Sequence, residues 1–259
     1  MDLQLDGKRA LVTGSTAGIG YAIAEALARE GAAVIVNGRT RERVDAAIAK
    51  LREAHGEIHG LAADLGTADG AREASTRFPD LDILVNNLGI FENKPFEQIP
   101  DEDWLHIFQV NVMSGVRLSR HYLPRMKQRN WGRIIFISSE SALQIPAEMI
   151  HYGMTKTAQL SIARGMAETT AGTNVTVNSV LPGPTASEGL VEGVAGGKRE
   201  RLAGTEKEFF ERARPSSILK RFETPDEIAA LVAFVASPLA SGINGAALRV
   251  DGGVVRSIS

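Results

Sequence analysis

Three side chains in this sequence could together move a proton and steady a developing charge. Tyr152-Gly153-Met154-Thr155-Lys156 opens a stretch that reads as a helix, so the phenol and the ammonium, four residues apart, share one face. A free phenol has a pKa of about 10, too high for a base at neutral pH, and a neighbouring cation is expected to lower it. Tyr152 is therefore a candidate to give up a proton in a reduction and accept one in an oxidation. Ser139 follows an apolar run and precedes Tyr152 by a short loop. Its hydroxyl can bind a substrate oxygen and stabilise charge there, or it can act only as a helix cap. Asn111, on the helical stretch before that run, can hold a water linking Lys156 to solvent, or be a buried polar group of its helix. Any one of these is a weak signal, and their joint occurrence is not.

A second constellation lies near the start of the chain. The apolar run Arg9–Thr13 leads into Gly14-Ser15-Thr16-Ala17-Gly18-Ile19-Gly20, where a helix opens. Gly14 allows a tight turn, Gly18 a close approach of backbone to a pyrophosphate, and Gly20 a helix lying close against a sheet. The helix N-terminus then offers free N–H groups and a positive dipole end to phosphates. No Gly-Lys-Ser/Thr ending follows, which disfavours a nucleotide-triphosphate P-loop. In a dinucleotide fold, an acid at the end of the second strand holds the ribose of NAD. Here that end reads Val36-Asn37-Gly38-Arg39. Gly38 opens space and Arg39 offers a guanidinium for a 2′-phosphate, so NADP is expected and NAD remains possible. Arg39 could also be an ordinary surface arginine. Asp64-Leu65 could receive the adenine amino group, or Asp64 could cap the helix starting near Thr67. Asn86-Asn87-Leu88-Gly89 ends another apolar run. Its amides can tie strands together and touch a ribose, or be turn residues.

These residues need a scaffold. Short β-branched runs at 9–13, 33–36, 81–85, 133–137, 174–178 and 246–250, with a further run before Asp64, alternate with helical stretches at 18–30, 40–54, 102–128, 151–170 and 225–236. Runs apolar on both faces, alternating with helices, predict an α/β domain with a doubly wound, mostly parallel sheet. Thr224-Pro225-Asp226-Glu227 has the form of a helix start. The segment 183–217 breaks the rhythm, with glycines, mixed charge and weak periodicity. It reads as an irregular substrate-binding loop or lid over residues 183–217 of a single domain, 1–259.

Composition is that of an ordinary soluble protein, 44% hydrophobic and 23% charged with net charge -2, so nucleic acid is not an expected partner. With no cysteine, disulfides and thiolate metal sites are excluded, which fits a reducing, cytoplasmic setting. His55 and His59 lack an acid-rich surround, and no metal is expected. No signal peptide or membrane span is read.

In combination, Thr13-Gly14-x3-Gly18-Ile19-Gly20, Asp64, Asn86-Asn87-x-Gly89, Asn111, Ser139, Tyr152-x3-Lys156, Pro182-Gly183 and Asp251-Gly252-Gly253 resemble the motifs of the short-chain dehydrogenase/reductase family, in its order and spacing, from Leu5 to about Val254. The resemblance is greatest to 3-oxoacyl-carrier-protein-reductase-like members. It implies a seven-stranded Rossmann sheet, a Ser139-Tyr152-Lys156 site assisted by Asn111, and an NAD(P) whose amide meets the segment from Pro182 through Gly183 to Thr185. It also implies a small-molecule carbonyl or alcohol substrate and a homo-oligomer, dimer or tetramer. A non-catalytic dinucleotide sensor would have no need of the acid–base set. The sequence departs from the pattern at Leu88, where alanine is usual, and at Glu140 and Ser141, where small or apolar residues are common. Glu140 is expected to face solvent, with a cationic or hydroxylated substrate as the alternative target. His151 is expected to face away from the site. Leu143, Ile145, Met149 and Ile150 suggest an apolar wall. Lys198, Arg199, Arg201 and Arg212 place positive charge in the lid, which would suit an acidic or carrier-linked substrate.

Overall fold

The computed structural model describes residues 1–51, 57–196 and 199–258, without the side chains at 192–195, 199–201 and 203. His55, Lys198 and the end of the 40–54 helix lie outside the described residues, as do the side chains of Arg199 and Arg201. Seven strands form one sheet: β1 (Arg9–Val12), β2 (Ala33–Gly38), β3 (Ile58–Ala62), β4 (Ile83–Asn86), β5 (Gly132–Ile137), β6 (Val175–Pro182) and β7 (Ala247–Val250). Their order is β3-β2-β1-β4-β5-β6-β7, and every pairing is parallel. The order reverses between β1 and β4, which opens a crevice at the carboxyl ends of those strands.

The helices are α1 (Gly18–Arg29), α2 (Arg41–Leu51), α3 (Ala68–Arg77), α4 (Asp101–Phe108), α5 (Ser114–Gln128), α6 (Ile150–Glu168), α7 (Glu188–Ala195), α8 (Arg199–Arg212) and α9 (Pro225–Ala236). Alternate side chains of each strand serve opposite layers. Ile135 and Ile137 join Val12, Ile23, Leu27 and Val232 under α1 and α9. Ile134 and Phe136 join Leu11, Leu84, Leu118 and Tyr122 under α5 and α6. Covering both faces is why β5 and β6 are buried at every position, Arg133 and the polar Thr176, Asn178 and Ser179 included.

Two expectations change. The stretch 102–128 is not one regular helix, because a π-helical turn, Gln109–Met113, separates α4 from α5. The turn carries the buried Asn111, whose backbone carbonyl receives Gln159 Nε2 at 2.6 Å. Single π turns of this kind re-aim side chains within helices. The segment 183–217 is not irregular either. It folds into α7 and α8 around a small apolar cluster of Val191, Leu202, Phe210 and Phe222. Ser187 caps α7 at its start and Gly196, at φ 58°, ends it. That start and stop signal is present in the sequence, but the shortness of α7 hides its period.

Candidate active site

The sheet register assembles the site. Ile137 pairs with Val180 and Pro182 with Val250, so Ser138, Ser139 and the Pro182-Gly183 turn emerge side by side at the carboxyl edge. Beyond β5, Ser139 accepts from Ser141 N at 3.1 Å and so caps a 3-10 turn, Glu140–Ala142; capping and a place in the site coincide. Helix α6 then brings Tyr152 and Lys156 alongside. Ser138 Oγ donates to Lys156 O and Lys156 Nζ donates to Ile137 O, both at 2.9 Å. Lys156 Nζ lies 5.5 Å from the Tyr152 ring centroid. Ser139, Tyr152 and Lys156 all line one cavity of about 430 Å³.

Asn111 stands behind that cavity. Its side chain brackets Ile90, accepting from N at 2.8 Å and donating to O at 2.9 Å, and it also donates to Thr155 Oγ1 at 3.0 Å. A methyl group on Gly89 would be 3.5 Å from both Asn111 Oδ1 and Lys156 Nζ, so only a bare glycine separates the two.

The electrostatics differ from the sequence expectation. Burial pushes Lys156 down to about 7. The phenol of Tyr152 is pushed above its ordinary value of 10.0, first by burial and then by the Glu140 carboxylate, with the Arg214 charge opposing. Desolvation thus sets the direction of both shifts. At neutral pH the protein's own groups favour the protonated phenol.

From the dinucleotide set, Ile19, Asn87, Gly89, Pro182, Gly183 and Thr185 line the same cavity. The rest lie further along the edge. Gly14 turns at φ 60°. A methyl group on Gly20 would sit 2.5 Å from both Asn87 Nδ2 and Gly14 O, so α1 meets the sheet only through a glycine. Helix α1 has neither a side-chain cap nor an acid in its first turn, which leaves its positive end uncompensated beside Gly18. Ser15 is wholly buried, and its hydroxyl links Val12 O and Asn37 N, so it shapes the turn. Asn87 Nδ2 donates to Thr13 O and Gly14 O, tying β4 to the turn. Thr16 packs on Gly38, which therefore admits a side chain from the turn. Arg39 is exposed and unpaired among the described residues, whereas Arg41 pairs with Asp45 at 3.1 Å. Asp64 is exposed and accepts from Gly66 N, while Thr67, not Asp64, caps α3. Leu65 belongs to the core.

Other expectations are corrected. Glu140 does not face solvent. It is 3% exposed, and its carboxylate receives Arg214 Nε at 2.9 Å. Of the proposed apolar wall only Met149 lines the cavity, joined by Phe91, Leu190 and Phe209; Leu143 and Ile145 are about half exposed. Arg212 pairs with Glu208 in solvent. Arg214, which lines the cavity, comes from a part of the chain 74 residues from Glu140, and no local sequence signal announces it. His151 faces away, edge-on to Trp104 at 5.9 Å. His59 pairs with Glu57 on the sheet edge.

The family model described as enoyl-(acyl carrier protein) reductase matches residues 14–255. An oxidoreductase of Bacillus subtilis, YvaG, is 52% identical over the whole of both chains. The chain is a short-chain dehydrogenase/reductase. This short-chain dehydrogenase/reductase is also 34% identical to the 3-oxoacyl-[acyl-carrier-protein] reductase of Aquifex aeolicus, over 98% of its length and 100% of the relative's. Among solved structures it superimposes on L-sorbose reductase from Gluconobacter frateurii, a structure solved with NADPH and L-sorbose, with a TM-score of 0.90, 30% identity and full coverage of both chains. The enzyme is therefore an oxidoreductase. Among its described residues no helix is long and apolar enough to cross a membrane.

Proposed function

We propose that the enzyme is an NADP(H)-dependent reductase of small carbonyl compounds, working reversibly on the matching alcohols, with Tyr152 as the acid–base group. The observation that carries this reading is the convergence of Ser139, Tyr152 and Lys156 in one cavity with Pro182, Gly183 and Thr185, at the switch point of a parallel sheet. The bare positive end of α1 suits a pyrophosphate. The free Arg39 at the end of β2 suits a 2′-phosphate, and the sorbose reductase solved with NADPH supports that preference. When bound, the dinucleotide supplies or takes the hydride. The protein's own share is the proton. Tyr152, held protonated by burial, donates to the carbonyl oxygen in reduction. Lys156 stands behind the phenol to replace that proton, and Asn111, near it across Gly89, is placed to hold a water that links Lys156 to solvent. Helices α7 and α8 form the lid over the substrate. The lack of cysteine suits a cytoplasmic enzyme, and assembly as a dimer or tetramer belongs to the same reading.

The test is a panel of carbonyl substrates followed at the nicotinamide absorbance, with NADPH and NADH in parallel, on the wild type and Tyr152→Phe. The expected result is turnover preferring NADPH, lost by a factor of about 10² or more in the variant, with NADPH affinity nearly intact. A variant that keeps most of its rate overturns the assignment of the phenol.

A further inference from the structure

Ser139 has one hydrogen and two lone pairs to place. Its hydrogen goes to Glu140 Oε2, with the two oxygens 2.5 Å apart; an ionised carboxylate can only accept. One lone pair receives Ser141 N. The remaining lone pair is left for the cavity that Tyr152 also lines, and toward a phenol there the serine oxygen can only accept. A serine that donated to the phenol oxygen would favour phenolate, but that hydrogen is already held by Glu140.

Glu140 is in turn fixed on every side. Oε2 also receives Ser141 N at 2.6 Å and Ser141 Oγ at 2.9 Å. Oε1 receives Arg214 Nε at 2.9 Å, with side-chain exposures of 10% for the arginine and 4% for the acid. Arg214 Nη1 reaches Ala213 O at 2.8 Å and Glu148 Oε1 at 3.3 Å. Arg214 itself follows α8, its N–H bonded to Phe209 O at the end of that helix. A buried carboxylate without its partner is strongly disfavoured, so the lid segment and the edge of β5 are bound together at the catalytic serine.

We propose that Glu140 and Arg214 are positioning residues of the Ser139–Tyr152 pair: Glu140 takes the serine hydrogen, so that the serine oxygen faces Tyr152 as an acceptor, and Arg214, delivered by the chain after α8, holds Glu140 in that place. The phenol then keeps its proton until a substrate oxygen replaces the serine as its acceptor, which sets the site for reduction once the lid segment is docked. The inference rests on the reading of Tyr152 as the acid–base group.

The charged and titratable groups facing the phenol are Glu140 and Arg214 across the cavity, Glu148 through Arg214, and Lys156 on the phenol's own helix. Removing Glu140's charge and removing Arg214's charge should therefore move the phenol in opposite directions. A defect that only loosened the fold could not do that. The experiment is an alkaline titration of tyrosinate ultraviolet absorbance on the full-length protein, with Tyr152→Phe subtracted to remove Tyr21 and Tyr122. Glu140→Gln should bring ionisation of Tyr152 to lower pH by roughly one unit, and Arg214→Met should move it to higher pH by a similar amount. Where either single variant does not fold, the double variant Glu140→Gln with Arg214→Met joins two uncharged side chains. It should ionise earlier than the wild type, because Glu140 acts on the phenol more strongly than Arg214. Arg212→Ala, whose pair with Glu208 lies in solvent, should leave the titration unchanged. Shifts in the same direction for the two single variants, or no shift in the double variant, overturn the proposal. The titration needs no substrate, so its failure is distinct from failure of the acid–base reading, which turnover by Tyr152→Phe tests.

Discussion

Lys156→Met should make the protein more stable while destroying its activity. Lys156 is buried, and burial displaces it from 10.5 to about 7. At about 1.4 kcal/mol per pKa unit, holding its charge in the fold at neutral pH costs on the order of 5 kcal/mol. Methionine has a similar volume and no charge, but it leaves the Ile137 carbonyl without the donor that Lys156 Nζ supplies at 2.9 Å. That loss costs about 1–3 kcal/mol. The net expectation is a gain of about 2–4 kcal/mol, or roughly 4–16 °C in Tm for a chain of this size. The sign with pH follows from proton uptake. Above 10.5 neither state is charged and the lysine carries no penalty. As pH falls from 10.5 toward about 7, the unfolded chain binds a proton that the folded chain declines, so wild-type stability falls. Below about 7 both states are protonated and the penalty is constant. The advantage of the variant should therefore be greatest at and below neutral pH and should shrink as the pH approaches 10. Urea unfolding followed by the fluorescence of Trp104 and Trp131, at neutral and alkaline pH, reads it directly. A variant less stable than wild type at neutral pH, or an advantage that does not change with pH, would refute the reasoning.

Arg39→Ala should weaken NADPH binding by about tenfold or more, the value of one charge-assisted contact, and leave NADH nearly unchanged; dinucleotide titrations by fluorescence decide, and equal losses would remove the assignment of a 2′-phosphate to Arg39. Gly20→Ala places a methyl group 2.5 Å from Asn87 Nδ2 and Gly14 O. It should cost about 1–3 kcal/mol of stability by overpacking and also lower affinity for either dinucleotide, since α1 is pushed from the turn; thermal melts and the same titrations test both effects.

What local sequence carries, it carried well here. The apolar run Ile134–Ile137 of β5, the glycine turn before α1, and Tyr152 one helical turn before Lys156 each depend on neighbours within a few residues, and each lies where the pattern places it. So does α9, whose capping box joins Thr224 to Glu227. The π turn at Asn111 was not legible, because a helical period does not show a single inserted residue that is stabilised by Gln159 from another helix. The environment of Glu140 was not legible either. An acid beside a serine reads as solvated until a guanidinium from the far side of the lid is brought to it. The proton affinities of Tyr152 and Lys156 belong with these. Spacing put the two side chains together, but desolvation set the direction of both shifts. Burial is a property of everything packed around a residue, and only the tertiary structure decides it.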